Sequence, residues 1–136
     1  MSLKVVGESK KRMYGPRGLI VCGFSSEERT AVKNLFESTT FNQVPVVFST
    51  DSDRQVQVKD LLARNHHSGA DQSCSLECAI IMSGVTEQEL HFIMAEYKKT
   101  GLPKPLWATL TPTSENWTIE ALITELASEH RQIGHH

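Results

Sequence analysis

Residues 105–126 read PLWATLTPTSENWTIEALITEL, and this stretch decides how we expect the chain to fold. It begins with a short apolar strand, continues through a polar loop at 111–116 and ends in an amphipathic helix. The apolar positions of that helix share one face: Ile119, Leu122, Ile123 and Leu126. A strand followed by a loop and a helix is typical of an α/β protein, and such loops are where ligands most often bind.

The composition predicts one ordinary soluble domain. The chain has 136 residues, of which 39% are hydrophobic and 22% charged. Its sequence contains no apolar run near the roughly 20 residues that cross a bilayer, and its first residues lack a signal-peptide pattern. We therefore expect a soluble intracellular protein, in the cytoplasm or inside an organelle such as a plastid, with no membrane partner.

The net charge of −2 is unevenly distributed. Residues 1–18 are basic, with Lys4, Lys10, Lys11, Arg12 and Arg17 against Glu8. So small a positive charge supports little phosphate binding, so we expect a flexible arm and no specific nucleic-acid partner. Residues 1–3 are typical of a vector leader, and residues 134–136 are typical of a truncated affinity tag.

Three more apolar runs precede the quoted stretch, and each is followed by a helical pattern. The runs are 19–22, 44–49 and 78–82. Two of the helices open with a capping box, in which a hydroxyl and a glutamate three residues later bond each other's backbone N–H. The boxes are Ser25 with Glu28 and Thr86 with Glu89. Asp51 or Ser52 is the expected N-cap of the remaining helix.

The two halves of the chain, 19–64 and 76–131, look like one βαβα unit used twice. Residues 23–28 correspond to 84–89 at an offset of 61 positions, and Pro45 corresponds to Pro105 at an offset of 60. This pattern predicts a tandem duplication. The alternative is that both halves use the commonest strand-to-helix turn chemistry. Joined by the polar loop 65–75, the halves would form one α/β domain over 19–133.

Strand and helix patterns in strict alternation predict a three-layer α/β fold. We expect a four-stranded, mostly parallel sheet in the order 2-1-3-4, with helices on both faces. Ligands of such sheets bind outside the carboxyl ends of the strands, here between strands one and three. The candidate ligand-binding residues on that rim are Gly23, Ser25, Ser83, Gly84, Thr86, Thr111, Thr113, Ser114, Asn116 and Trp117.

The second half also carries a set of recognisable motifs. They are Gly84 and Glu89, the run GLPKPL at 101–106, Ala108, Thr111-Pro112-Thr113 and Asn116-Trp117-Thr118. In these motifs residues 76–131 resemble a small family of bacterial and plant domains of unknown function. Residues 19–62 would be a diverged partner unit. The family has no assigned activity, so the resemblance implies a fold and an important loop but no reaction.

Metal, redox and hydrolytic chemistry have weak signals. Cys74 and Cys78, with His66 and His67 upstream, are a Cys-x3-Cys pair without a second pair, so we expect no metal and no cofactor. The serines at the strand ends lie outside Gly-x-Ser-x-Gly, which argues against a hydrolytic triad. Trp117 either stacks on a ligand ring or fills the gap between helix and sheet, and its neighbours favour the second.

The leading hypothesis is a non-catalytic α/β module that binds a small anionic ligand or a protein partner at the rim, where helix N-termini favour anions. A second hypothesis is an enzyme acting on a phosphorylated or nucleotide-like small molecule, oriented by Thr111, Thr113 and Asn116. A third is a structural subunit that forms a homodimer through the edge strands of its sheet.

Overall fold

A computed structural model describes residues 11–37 and 44–134. The four strands are β1 (Gly18–Cys22), β2 (Val46–Phe48), β3 (Ala79–Ser83) and β4 (Leu106–Thr109). The helices are α1 (Ser26–Glu37), α2 (Val58–Leu62), α3 (Glu87–Lys98) and α4 (Ile119–Gly134). The strands form one sheet in the order β2-β1-β3-β4, as predicted. Residues 1–10 of the expected arm and 135–136 of the expected tag remnant lie outside the described ranges.

The helices cover both faces of the sheet, which confirms the expected three layers. Side chains alternate along a strand, so Leu19 and Val21 of β1 face one side while Ile20 and Cys22 face the other. On the first face they pack against buried residues of α1 and α3, and on the second against those of α2 and α4. Each helix pair therefore closes its own apolar core.

The central strand pair runs in opposite directions. β1 is parallel to β2, and β3 is parallel to β4, but β1 pairs antiparallel with β3. Gly18 lies opposite Ser83 and Cys22 lies opposite Ala79. The mostly parallel sheet is confirmed, whereas the expectation that strands one and three end on the same rim is wrong.

The connection from α2 to β3 explains this reversal. α2 ends beside the start of β1, where Leu62 lies against Gly18. The connection then follows the outer edge of β2: the Phe48 N–H donates to the Ser68 carbonyl at 2.8 Å, and the His67 N–H donates to the Val46 carbonyl at 2.7 Å. It reaches the opposite end of the sheet before β3 begins. β3 must therefore run back against β1.

The strands and α-helices of the two halves start 60 or 61 positions apart along the chain. α1 and α3 each have 12 residues, and their first residues are 61 positions apart. The same offset separates Gln57 from Thr118, which form an antiparallel bridge. Around that bridge Val58 N donates to Trp117 O and Ile119 N donates to Val56 O, both at 2.9 Å. Such reciprocal bonds relate the halves by an approximate two-fold axis; the tandem duplication itself stays a prediction.

The second helix begins later than its sequence pattern suggests. Thr50, rather than Asp51 or Ser52, is an N-cap, and it caps a 3-10 helix at Asp51–Asp53. α2 starts only at Val58, because Gln57 is held in extended conformation by its bridge to Thr118. A second 3-10 helix at Ser114–Asn116 precedes α4. Within the described residues, no helix is long and apolar enough to cross a membrane.

Two glycines allow the chain to cross close to itself at the ends of the central strands. Gly23 and Gly84 follow β1 and β3 and have φ of +79° and +65°. A Cβ on Gly23 would lie 2.4 Å from the Leu76 carbonyl oxygen, and one on Gly84 would lie 2.5 Å from the Gly15 carbonyl oxygen. Both positions need a positive φ and the absence of a side chain.

Alanine at either glycine should destabilise the fold strongly. We expect Gly23→Ala and Gly84→Ala each to lower the free energy of unfolding by at least about 3 kcal/mol, because left-handed strain adds to a backbone clash. Gly101→Ala is the matched control: its φ is +76° but nothing lies within 4 Å of the added Cβ. It should cost only about 1 kcal/mol. Urea unfolding measures all three, and equal losses would contradict the close crossing.

Candidate functional site

The predicted site residues lie at opposite ends of the sheet. Because β1 and β3 are antiparallel, Gly23 and Ser25 follow β1 at one end of the sheet. At the other end Ser83 is the last residue of β3, and Gly84 and Thr86 follow it. The Thr111–Trp117 loop follows β4, which is parallel to β3, so it lies at the Thr86 end. One common rim does not exist. The structure brings Ser83, Gly84 and Thr86 together with the loop. It separates Gly23 and Ser25 from it.

Both predicted capping boxes are present and use the side chains that a rim ligand would need. Ser25 N–H donates to Glu28 at 2.8 Å, and Thr86 N–H donates to Glu89 at 2.9 Å. The Glu28 and Glu89 N–H groups donate back to the hydroxyls at 3.2 and 3.0 Å. The N-termini of α1 and α3 each hold a carboxylate of their own chain.

Arg17 adds an ion pair to the second box. Its guanidinium donates to both carboxylate oxygens of Glu89, at 3.0 and 2.8 Å, and to the Gly84 carbonyl at 3.2 Å. The hydrogen bonds from Arg17 hold the pKa of Glu89 below its ordinary value, and the Thr86 N–H acts in the same direction. This contact ties the segment before β1 to the start of α3.

The Thr111–Trp117 loop is held mainly by its own hydrogen bonds. The Thr111 N–H donates to the Ser114 hydroxyl at 3.0 Å, and the Ser114 N–H donates to the Thr111 hydroxyl at 3.0 Å. Thr50 and Asp53 form the corresponding turn after β2, where the Thr50 N–H donates to the Asp53 carboxylate at 2.9 Å. Thr111 and Ser114 thus stabilise the turn after β4 as Thr50 and Asp53 stabilise the turn after β2.

The remaining rim candidates differ in their access to solvent. Ser83 is buried, and Gly15 and Leu110 lie close to its hydroxyl. Thr113 and Asn116 are exposed. Trp117 is 36% exposed, so part of its ring is accessible to solvent. It borders a shallow depression of about 400 Å³ on α4. Ligand binding by these residues stays a prediction.

A longer groove runs between α3 and β4. We call it the β4 edge groove, and it consists of two adjoining cavities of about 450 and 270 Å³ that share Met94 and Trp107. Its apolar lining is Leu90, Met94, Tyr97, Leu102 and Trp107. Tyr97 and Trp107 meet edge to face, with ring centroids 5.4 Å apart. The Tyr97 hydroxyl donates to the Pro103 carbonyl, and burial raises the pKa of that hydroxyl.

Two lysines border the groove at the end of α3. Lys98 and Lys104 are exposed, and neither forms an ion pair with another residue of 11–37 or 44–134. Lys99, the neighbour of Lys98, instead pairs with Glu96 at 2.8 Å. The groove therefore combines an apolar floor with unneutralised positive charge.

The backbone of β4 has a free side along this groove. Leu106 and Leu110 donate their N–H groups to Cys78 and Met82, both at 2.9 Å, so the even positions of β4 face β3. Hydrogen-bonding direction alternates along a strand, so Trp107 and Thr109 direct their N–H and C=O groups outward. In the described part of the chain no segment pairs with that edge.

The opposite edge of the sheet is covered by the chain itself. Residues 66–70, which we call the β2 cover, lie along β2. Val46 and Phe48 hold the outward positions there, and the cover bonds both through the His67 N–H and the Ser68 carbonyl. The Val46 N–H donates to His66 Nδ1 at 3.0 Å. Among residues 11–37 and 44–134 the two edges of the sheet therefore differ: β2 is covered and β4 is open.

A cluster of potential metal ligands lies where α1 meets the β2 cover. It consists of Glu37, His66 and His67, whose ligand atoms lie within 4.8 Å of one another. Because His66 Nδ1 accepts from Val46, the proton of its neutral ring belongs on Nε2, which leaves no free lone pair for a metal. His67 Nε2 lies 3.2 Å from Glu37, and burial lowers the pKa of that ring. The cluster explains how the cover is held better than it explains a metal site.

The cysteines do not form the metal or redox pair considered from the sequence. Cys78 packs against the core on the α1 and α3 face, whereas Cys74 packs against the core on the α2 and α4 face. Burial raises the pKa of the Cys22 and Cys78 thiols to about 12. Cys74 has only a weak contact, 3.5 Å from the Ser49 hydroxyl. All three are free thiols.

Sequence reasoning missed the β4 edge groove. Met94 and Tyr97 belong to the apolar spacing of α3, which by itself predicts core positions, and Trp107 belongs to the short apolar strand that opens the quoted stretch. The usable signal was the predicted strand order, which places the fourth strand at an edge of the sheet. A tryptophan on an edge strand, next to a lysine-containing loop, indicates a surface that a partner can cover. The sequence offset predicts what the two halves share, whereas the groove depends on a difference between them.

Neutralising Glu89 should measure the ion pair that holds α3. Gln can still cap the helix through its amide oxygen, but Glu89→Gln removes the charge and one of the two oxygens that accept from Arg17. It should lower the free energy of unfolding by about 1 kcal/mol at pH 7. The lowered pKa makes this contribution complete above roughly pH 4.3, and protonation removes it as the pH falls through the folded-state pKa. Urea unfolding at pH 7 and pH 3 should show the difference from wild type shrinking.

The matched control for this experiment is Glu28→Gln. Glu28 forms the other capping box, but no arginine of the described residues pairs with it. Its substitution should change the unfolding free energy by only a few tenths of a kcal/mol. Equal, pH-independent effects at the two positions would show that Arg17 contributes nothing to the second box.

Comparison with known proteins finds a similarity in the second half of the chain. Residues 79–133, from β3 to α4, match the family described as Domain of unknown function (DUF3783). The match confirms an uncharacterised domain over most of the second half; the motifs on which the resemblance was based stay a prediction. No curated protein and no solved structure matches the chain.

Proposed function

We propose that this chain is a non-catalytic module that binds a protein partner along the β4 edge groove. The observation that carries the proposal is the open edge of β4, where Trp107 and Thr109 direct backbone N–H and C=O groups outward. An extended peptide can add a strand to such an edge and satisfy these groups. Few other ligands offer donors and acceptors at the spacing of a strand.

The groove beside the edge supports the same partner. A strand added to β4 would direct alternate side chains toward α3, where Met94, Tyr97 and Trp107 form an apolar floor. Large aromatic side chains at a partly exposed position are typical of protein interfaces. Backbone bonds would supply general affinity, and the floor would select side chains.

A small anion at the helix N-termini has less support. The Glu28 and Glu89 carboxylates already accept from the N–H groups of Ser25 and Thr86. A bound anion would have to displace a carboxylate of the chain or lie beside it, which costs electrostatic energy. Arg17, a cation at the α3 N-terminus, is bonded to Glu89.

An enzymatic role also has less support. Within residues 11–37 and 44–134 no serine, threonine or cysteine side chain hydrogen-bonds to a histidine, which is the usual arrangement for activating a nucleophile. A thiol with a pKa of about 12, as at Cys22 and Cys78, is protonated at neutral pH and reacts poorly. We therefore retain binding rather than catalysis.

Closing the edge should abolish partner binding. Thr109→Pro removes one outward donor while leaving the ladder to β3, because the Thr109 N–H faces away from it. We expect the proline variant to lose partners that wild type captures from a cell extract of the source organism, with a loss of about tenfold or more. Quantitative affinity capture with mass spectrometry, on samples shown to be folded by circular dichroism, measures this.

Two further variants make the outcome specific. Met94→Glu places a charge in the groove without touching the β4 backbone, so it tests the site even if the proline variant is unstable. Thr113→Ala changes the exposed 111–116 loop and should leave capture unchanged. Loss with Thr113→Ala and retention with the other two would move the site to the loop and contradict the proposal.

A further inference from the structure

The β2 cover shows how this fold closes an edge groove. In the first half, residues 66–70 occupy the space beside β2 and α1. Arg29, on α1, donates to the Ala70 carbonyl at 2.9 Å, and Ala70 packs against the core on that face. Glu37, the last residue of α1, lies 3.2 Å from His67. The cover thus contacts the strand edge, the helix start and the helix end.

The second half has different side chains at each corresponding contact. Along the 61-residue offset, Arg29 corresponds to Leu90, and Glu37 corresponds to Lys98, the last residue of α3. Leu90 lines the β4 edge groove and Lys98 borders it. The open groove therefore has the same backbone arrangement as the covered one. Where the covered groove has the polar Arg29 and the acidic Glu37, the open groove has the apolar Leu90 and the basic Lys98.

The exchange of Glu37 for Lys98 indicates the charge of the occupant. In the covered groove a histidine faces a carboxylate. In the open groove a residue at the same place would face Lys98, with Lys104 nearby and neither neutralised within the described residues. A carboxylate there gains attraction from two cations, whereas a basic side chain is repelled.

The exchange of Arg29 for Leu90 indicates a second contact. Arg29 reaches a backbone carbonyl three positions after His67 in the cover. Leu90 offers no hydrogen bond, so the occupant should present an apolar side chain there instead. An apolar contact with Leu90 and Met94 removes more carbon surface from water than the alanine of the cover does.

We propose that the partner segment is an extended strand of another protein, with an acidic residue against Lys98 and Lys104 and an apolar residue three positions later against Leu90. This inference rests on the proposed function, because it names the chemistry of the peptide that would pair with β4. It predicts a short acidic and apolar motif rather than a basic or neutral one.

Two other occupants fit the charges less well. A second copy of β4 offers Leu106–Thr109, which contains no acid and is preceded by Lys104, so two copies would bring lysines together. Residues 5–9 of the chain stand 61 positions before the β2 cover, but the positions that correspond to His67 and Ala70 hold Val6 and Ser9 rather than an acid and an apolar residue. Both are outcomes that the experiment below separates.

A displayed library of random twelve-residue peptides provides the probe. Selection on the wild-type chain should enrich peptides with an acidic residue followed three positions later by an apolar one. Fluorescence polarisation of the enriched peptides should show about tenfold weaker binding to a Lys98→Glu, Lys104→Glu variant. Lys99→Glu, next along the helix but paired with Glu96, should bind as wild type does. Replacing the peptide acid by lysine should restore binding to the reversed variant.

The contrary outcomes are distinct. Enriched peptides that lose binding with Thr109→Pro but ignore the lysine reversal would overturn the acidic motif and leave the proposed function standing. Peptides insensitive to Thr109→Pro and Met94→Glu, or no enrichment, would overturn both. Binding seen only after removal of residues 1–10 would identify the chain's own segment as occupant. A dimer in sedimentation that Thr109→Pro dissociates would identify a second copy.

Discussion

The antiparallel pairing of β1 with β3 is the constraint on which the rest of the structure depends. It joins two parallel strand pairs into one sheet, with Ile20 opposite Ile81 at its centre. Because the pair is antiparallel, the loops that follow β1 and β3 emerge at opposite ends. The fold therefore divides its loop chemistry between the two ends of the sheet, and no single rim brings these loops together.

The two halves share a backbone plan but differ in what lies outside it. α1 and α3 have the same length, as do β1 and β3, and the crowded glycines after these two strands repeat at the same offset of 61 positions. The polar side chains at those places serve the fold in both halves, through capping boxes and tight turns. The halves differ in what lies beside their edge strands. Residues 66–70 cover β2, whereas no described segment covers β4.

Sequence patterns predicted the local features well. The strands and both capping boxes could be predicted from apolar runs and spacing, because they depend on neighbouring residues. The strand order followed from the alternation of strand and helix patterns. The direction of β3 could not be predicted, since it depends on hydrogen bonds between Phe48 and Ser68 that no local pattern encodes. The groove was missed for the same reason: Met94 and Trp107 come together only when α3 packs beside an edge strand.

The covered edge of β2 has a consequence for how copies of this chain can aggregate. A sheet with two bare edges can add molecules at both sides and grow into a fibre. Here His66, His67 and Ser68 already occupy the hydrogen-bonding groups of β2. Two molecules that pair through their β4 edges would leave only covered β2 edges, so growth through the described edges would stop at two molecules. Loss of the cover would turn a terminating assembly into a propagating one.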